Sequence, residues 1–353
     1  MTDAEPIDEP GDPGEIVTVL LPEDEYPHEP DDAVNYNESM YLNAFDLDAE
    51  CGGWFRLGNR VNEGYAEMSV CVYLPDGRVG FMYGRPKITS NDAMDAGGLR
   101  IDVREPFEHL TVSYEGNVCL LDNPADMADP RKAFADNPMV PATVAIDWRG
   151  VSPMYGGKPQ YADGRELEQE AGSSFAKAHY EQHCRTTGTI TIGEDVLDLD
   201  GFGLRDKSWG PRYWQAIAWY RWLPMVFGDD FALMLSIVAG SVEGPARAGG
   251  MVLEGDEYHK LVDCRIDADY DDKGQQTAMR CWAKTKHREY EITGEVLSMI
   301  PLRNRRKTPD GQQLHTRITE AMTRYECDGR KGIGMSEFLD QVDDGWPVGV
   351  PRS

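Results

Sequence analysis

Gly201-Phe-Gly-Leu-Arg-Asp-Lys-Ser-Trp-Gly-Pro-Arg-Tyr-Trp214 lies just past the middle of a 353-residue chain, between two runs of strand-like segments. Its fourteen positions hold three glycines, two arginines, an aspartate, a lysine and two tryptophans. Such a mixture fits neither a regular helix nor a regular strand. Gly201, Gly203 and Gly210 permit backbone dihedrals that a Cβ disfavours. Pro211 fixes φ and removes a donor, so a sharp turn is expected there. On a structural reading the stretch is a corner between two domains, its tryptophans filling two cores and Arg205 paired with Asp206. On a functional reading the same charges and aromatics form a site.

On both sides of this stretch, apolar alternation is interrupted by turn residues. Tyr65–Leu74, Pro75-Asp76-Gly77 and Arg78–Tyr83 read as a hairpin. Leu99–Val103, Leu110–Tyr114, Val118–Leu121, Thr143–Trp148, Thr186–Ile192 and Val196–Leu199 read as further strands. Beyond the central stretch, Gln215–Trp222 and Phe231–Ala239 flank Gly228-Asp229-Asp230, and Gly249–Leu253 with Tyr258–Val262 flanks Glu254-Gly255-Asp256. Arg265–Tyr270, Ala278–Lys284, His287–Ile300 and Thr316–Cys327 complete the pattern. Glu166–Tyr180 is the best helical candidate. Many short strands at even spacing predict an all-β protein of two tandem antiparallel barrels or sandwiches with few helices. The expected division is an acidic flexible arm over residues 1–34, a first β domain over 35–195, and a second over 196–353 that contains the central stretch at the seam.

Charge narrows the function. The formal net charge is −27, and residues 1–50 hold 16 Asp or Glu and no Lys or Arg, leaving 46 acids and 35 bases elsewhere. The arm should therefore be mobile, although its apolar island Ile16–Leu21 could add a strand to a neighbouring sheet, and the arm could dock a partner. A strongly acidic chain repels nucleic acid and anionic membranes, so no nucleic-acid partner is expected. No apolar run approaches membrane-spanning length, so no stable membrane insertion is expected either. Seven scattered cysteines without CxxC pairs argue against a disulfide framework or a zinc cluster. With no visible signal peptide, a cytoplasmic location is expected. Short strand edges near the seam could pair in a homodimer.

No phosphate loop, dinucleotide fingerprint or GxSxG elbow is present, so no cofactor is expected. His179 and His183, four apart with Glu181 between them, could share a helix face. That spacing is weaker than HExxH, and no metal is expected. What remains is proton transfer by carboxylates in a cavity shaped by aromatic residues. Asp206 is the leading candidate acid, because burial against tryptophan would raise its pKa while Arg205 or Lys207 would lower it. Glu38 and Glu337 are second-tier candidates, for which a surface or capping role competes. Arg56, Arg205, Trp209, Arg212, Trp214 and Trp219 are candidate substrate-binding residues.

The central stretch resembles the Gly-x-Gly-x-Arg-Asp-His-Ser-Trp-Gly-x-Arg signature of a lipocalin-like (calycin) superfamily. That group includes carotenoid hydratases (hydroxyneurosporene synthases) and, more distantly, tocopherol cyclases and fungal Diels–Alderase-type cyclases. Asn37-Glu-Ser-Met-Tyr, Arg56-Leu-Gly, Pro75-Asp-Gly, Gly249-Gly-Met-Val, Ile300-Pro-Leu-Arg and Gly334-Met-Ser-Glu-Phe are similar to its uncharacterised bacterial branch. The resemblance implies two lipocalin-like barrels with an apolar ligand pocket in or between them, and chemistry without metal or nucleotide. It carries the acid and its aromatic partner onto Asp206 and Trp209, while Lys207 stands where the pattern has histidine. The implied function is a lyase, hydratase or isomerase acting on a terpenoid, a steroid or a lignin-derived aromatic dimer, in aromatic-compound catabolism. The alternative is a non-catalytic binding protein for an apolar ligand.

Overall fold

The Pro75-Asp76-Gly77 turn joins the two strands expected around it, with Tyr73 opposite Val79 and Gly77 at φ 89°. The computed structural model describes residues 15–167, 176–213, 217–307 and 313–352. The first part of the chain forms β1 (Ile16–Val19), β2 (Tyr36–Asp46), β3 (Cys51–Arg60), β4 (Tyr65–Tyr73), β5 (Val79–Gly84), β6 (Met94–Ala96), β7 (Leu99–Glu105), β8 (His109–Leu121), β9 (Met139–Gly150), β10 (Tyr155–Tyr161), β11 (Ala178–Ile192) and β12 (Asp195–Pro211). The second forms β13 (Trp219–Gly228), β14 (Phe231–Ala239), β15 (Ala246–Glu254), β16 (Glu257–Lys260), β17 (Asp263–Tyr270), β18 (Gln276–Lys284), β19 (Glu289–Lys307), β20 (Gln313–Cys327), β21 (Arg330–Asp343) and β22 (Trp346–Pro347). Both sheets are antiparallel, so the chain is all-β, as its alternation predicts.

Strand pairing runs β11–β12–β2–β3–β4–β5–β8–β9 and returns to β11, which closes an eight-stranded barrel. A barrel of that size is just wide enough for side chains to fill it. Met40, Leu42, Phe55, Val70, Val144 and Trp148 do so, leaving its interior packed. The second sheet runs β16-β15-β14-β13-β21-β20-β19-β18-β17 and curls so that β17 approaches β14 and β15 around Leu233, Met279, Tyr325 and Phe338. A separate apolar cluster, including Tyr41, Trp54, Tyr73, Ile300 and Met322, joins the outer face of the barrel to the second sheet.

The central stretch is regular strand up to Pro211 rather than a corner, and β12 pairs with β2 and β11 in the first sheet. The change of sheet therefore falls between Pro211 and Trp219, past the expected 195/196 division. Gly203 is required by closeness rather than by φ, since a Cβ there would lie 1.7 Å from the Asn43 carbonyl oxygen. Only Gly210, at φ 105°, uses glycine's dihedral freedom within this stretch.

Ala178–Tyr180, the end of the expected helix, opens β11 as strand, and residues 168–175 lie outside the described residues. The acidic arm is attached from Ile16 onward. β1 pairs with β10, and the 3-10 turn Pro22–Glu25 inserts Glu25 into the barrel mouth, where it is fully buried. All seven cysteines are buried and unpaired. Among the described residues no helix is long and apolar enough to cross a membrane.

Candidate active site

Side chains alternate between the two faces of a strand, and residues paired across strands share a face. On β12 this rule splits the central stretch. Arg205, Lys207 and Trp209 turn into the barrel mouth; Leu204, Asp206 and Ser208 turn outward, toward the second sheet.

The inward set is bonded within the barrel mouth. Lys207, 1% exposed, donates from Nζ to the carbonyls of Asp24 (2.6 Å) and Tyr26 (2.7 Å) and pairs with Glu38 at 2.8 Å. Burial depresses the Lys207 pKa, against the pull of the Glu38 charge. Burial would raise Glu38, but bonding to His28 and the Lys207 charge outweigh it and hold it low. Tyr36 also donates to Glu38, at 2.8 Å. Arg205 pairs with buried Glu25, which also accepts from Tyr180. Trp209 stacks on His28 with ring centroids 4.1 Å apart. Lys207, Glu38, Arg205 and Trp209 thus hold the N-terminal segment in the barrel mouth and stand away from the cavity. Trp219 also stands away, packed over Arg221, which pairs with Asp340. Trp214 lies outside the described residues.

The outward set opens on a cavity of about 1070 Å³ between the barrel and the second sheet. Pairing registers define its floor. One row crosses five strands as Glu181, Asp206, Tyr41, Arg56 and Ser69; the next crosses them as His179, Ser208, Ser39, Gly58 and Glu67. The third row, His183, Leu204, Asn43, Trp54 and Cys71, is mostly apolar and packs against the second sheet. Trp222, Glu337 and Glu320, paired in sequence across β13, β21 and β20, form the facing wall.

The chemistry gathers where these walls meet. His179 Nε2 hydrogen-bonds Asp206 and lies 3.8 Å from Glu181. Burial alone would lower His179, but the charge and hydrogen bond of Asp206 outweigh it and lift its pKa to about 9. The ring lines the cavity and its side chain is 47% exposed. Burial pushes Glu181 up to about 7, opposed by the His179 charge and by Trp222, whose Nε1–H donates to it at 2.8 Å. Its other oxygen, Oε2, is buried and makes no hydrogen bond.

Opposite, burial lifts Glu320 and Glu337 each to about 8, so both are protonated at neutral pH. Tyr41 donates to Glu320 at 3.3 Å, and Tyr220 donates to Glu337. Arg212 lies in the cavity wall bonded to Ser208, at 2.6 Å; burial and the nearby Arg56 charge lower it to about 9.

Asp206, Glu337, Arg56 and Arg212 therefore converge on one cavity. His179 and Glu181 were weighed only as metal ligands on a helix face, and Glu320, Tyr220 and Trp222 were not among the candidates of the sequence reading. The period-2 spelling His179-x-Glu181-x-His183 is the signal that finds the first two. Taken as strand it puts all three on one face; taken as helix it pairs only the histidines. His183 is bonded to Tyr258 (2.8 Å) and to the Leu233 carbonyl (3.2 Å), and burial lowers it to about 4. His179, Glu181 and Asp206 each offer one ligand atom within 4.8 Å of the others, a donor set that a small divalent cation could use.

Two β-barrel-like units with a ligand-sized cavity between them make a lipocalin-like fold. Solved structures share the architecture at low identity. A protein of the AttH type from Nitrosomonas europaea superposes with a TM-score of 0.61 at 15% identity, over 95% of this chain and 100% of that one. CghA solved with Sch210972 gives 0.54 at 11%, over 89% of each chain. Kievitone hydratase from Nectria haematococca gives 0.52 at 11%, over 92% of this chain and 93% of that one. The chain belongs to the family described as a domain of unknown function, DUF7064, whose model matches residues 21–342. No curated protein matches it.

Proposed function

We propose that the protein is a cofactor-independent acid–base enzyme, a lyase, hydratase or isomerase, acting on a hydrophobic small molecule held in the cavity between the sheets. The observation that carries this reading is the His179–Asp206 pair beside Glu181, at the edge of a cavity walled by Tyr41, Trp54 and Trp222. At neutral pH His179 is an imidazolium and Glu181 is poised to accept a proton.

His179 gives its proton to one carbon of a substrate alkene, whose π electrons form the new C–H bond. Glu181 then takes a proton either from the carbon on the far side of the resulting cationic centre, which shifts the double bond, or from a water that adds to that centre. Return of that proton from Glu181 to His179, 3.8 Å away, resets the site. Asp206 acts through His179, as a positioning residue that keeps it charged. Glu320 and Glu337 supply neutral O–H donors to the substrate. His179 is already engaged by Asp206, and Glu181 by Trp222, which favours a metal-free reading. The hydratase name of one structural neighbour agrees with it.

The cavity volume suits a terpenoid, a steroid or a lignin-derived aromatic dimer. The test is native mass spectrometry with chromatography of the protein incubated with such compounds, with and without EDTA. The expected result is a ligand returned with one water gained or lost, or with unchanged mass and a new retention time, equally in both arms. Loss of turnover with EDTA would overturn the metal-free mechanism, and ligands that bind but always return unaltered would establish a carrier.

A further inference from the structure

The chain is strongly acidic, yet its cavity wall has the opposite balance. Arg56, Arg85, Arg212, Arg247, Arg303 and Arg305 all line it. Of the five carboxylates that line it, Glu320 and Glu337 are neutral near pH 7, so Glu67, Asp206 and a partly ionised Glu181 face a larger number of fixed cations.

The inner two cations matter most, because they are out of bulk water. Arg212 is 6% exposed, and the Arg56 side chain is 18% exposed. Arg56 Nη1 donates to Glu67 at 3.4 Å, and Glu67 also lies 3.8 Å from Arg85, so one carboxylate serves two guanidiniums. Arg56 Nη2 is buried and makes no hydrogen bond. Gly58 leaves room for that atom, since a Cβ there would lie 2.9 Å from Nη2. The part of the Arg56 head that is exposed lines the cavity, where a ligand carboxylate can accept from it.

We propose that Arg56 and Arg212 form a carboxylate-binding subsite, so that the substrate is a hydrophobic molecule carrying an acid group at one end. This rests on the cavity being the substrate site proposed above. Arg56 shares a cross-strand row with Glu181 and stands three strands away, roughly 14 Å between backbones at the usual strand spacing. The acid group is therefore held remote from the reacting carbon and positions it without taking part in the chemistry.

The probes are the fluorescent polyene cis-parinaric acid and its methyl ester, titrated against the full chain. Charge-assisted hydrogen bonds should make the acid bind about 10- to 100-fold more tightly than the ester. Arg56→Met should bring the ratio close to one, and Arg56→Lys should restore part of it, keeping the charge but losing the fork. Equal binding of acid and ester by the unaltered protein would overturn the proposal, as would no binding of either. An acid preference undiminished in Arg56→Met would also overturn it. Binding is read without turnover, so failure of the acid–base mechanism would leave this result standing, and failure of the subsite would leave the mechanism standing.

Discussion

Lys207→Met is the perturbation that separates a structural lysine from a catalytic one. Methionine keeps most of the apolar stem but deletes an ammonium that serves two backbone carbonyls and the Glu38 carboxylate. Removing one partner of a buried pair generally costs about 3–5 kcal/mol. Here Glu38 keeps His28 and Tyr36, so the lower end, about 3 kcal/mol, is expected. Urea denaturation followed by tryptophan fluorescence should show the midpoint fall, with the N-terminal segment more open to protease. Turnover per folded molecule should hold, because Lys207 is on the opposite face of β12 from the cavity. Pairing the change with Glu38→Gln should cost less than the sum of the two, since both remove the same contact. An unchanged midpoint together with lost turnover would refute the structural assignment.

Glu337→Gln should remove a pH-dependent penalty. A carboxyl near 8 when folded and near 4.5 when unfolded binds more protons in the folded state between those values, so stability falls as pH rises through that window. The loss is worth about 4–5 kcal/mol by pH 9, and the variant should denature at a higher urea concentration than the parent at pH 9 but not at pH 4; equal loss in both proteins would contradict this. The rate against pH should be bell-shaped, rising through about 7 as Glu181 ionises and falling through about 9 as His179 loses its proton; a profile flat from pH 6 to 10 would contradict those roles. Gly58→Ala would put a Cβ 2.9 Å from both Arg56 Nη2 and Asn37 Oδ1, and should weaken cis-parinaric acid more than its ester; equal weakening would contradict a role for Arg56 in holding the acid group.

Much of this was legible in the sequence. Hairpins such as Tyr65–Tyr83 follow from alternation around Pro-Asp-Gly, and Asp206 and Arg56 carry enough local signal to be named. The face on which a charged residue lies was not legible while β12 was read as a corner. Once it is strand, period 2 separates Asp206 from Lys207, and the two neighbours part into cavity and barrel mouth. Glu181 needed the same correction, from helix to strand. Glu320 had no signal of its own, because its importance arises from Tyr41, 279 positions away in the chain.

The central claim is that His179, held charged by Asp206, moves the proton. Asp206→Asn and His179→Gln, assayed by native mass spectrometry with whichever compound the parent converts, test it most directly. Both variants should still bind that compound while turnover falls roughly 10²- to 10⁴-fold, and in Asp206→Asn the high-pH limb should move to lower pH as the imidazolium loses its counter-charge. Turnover within a few-fold of the parent in both variants would contradict the claim.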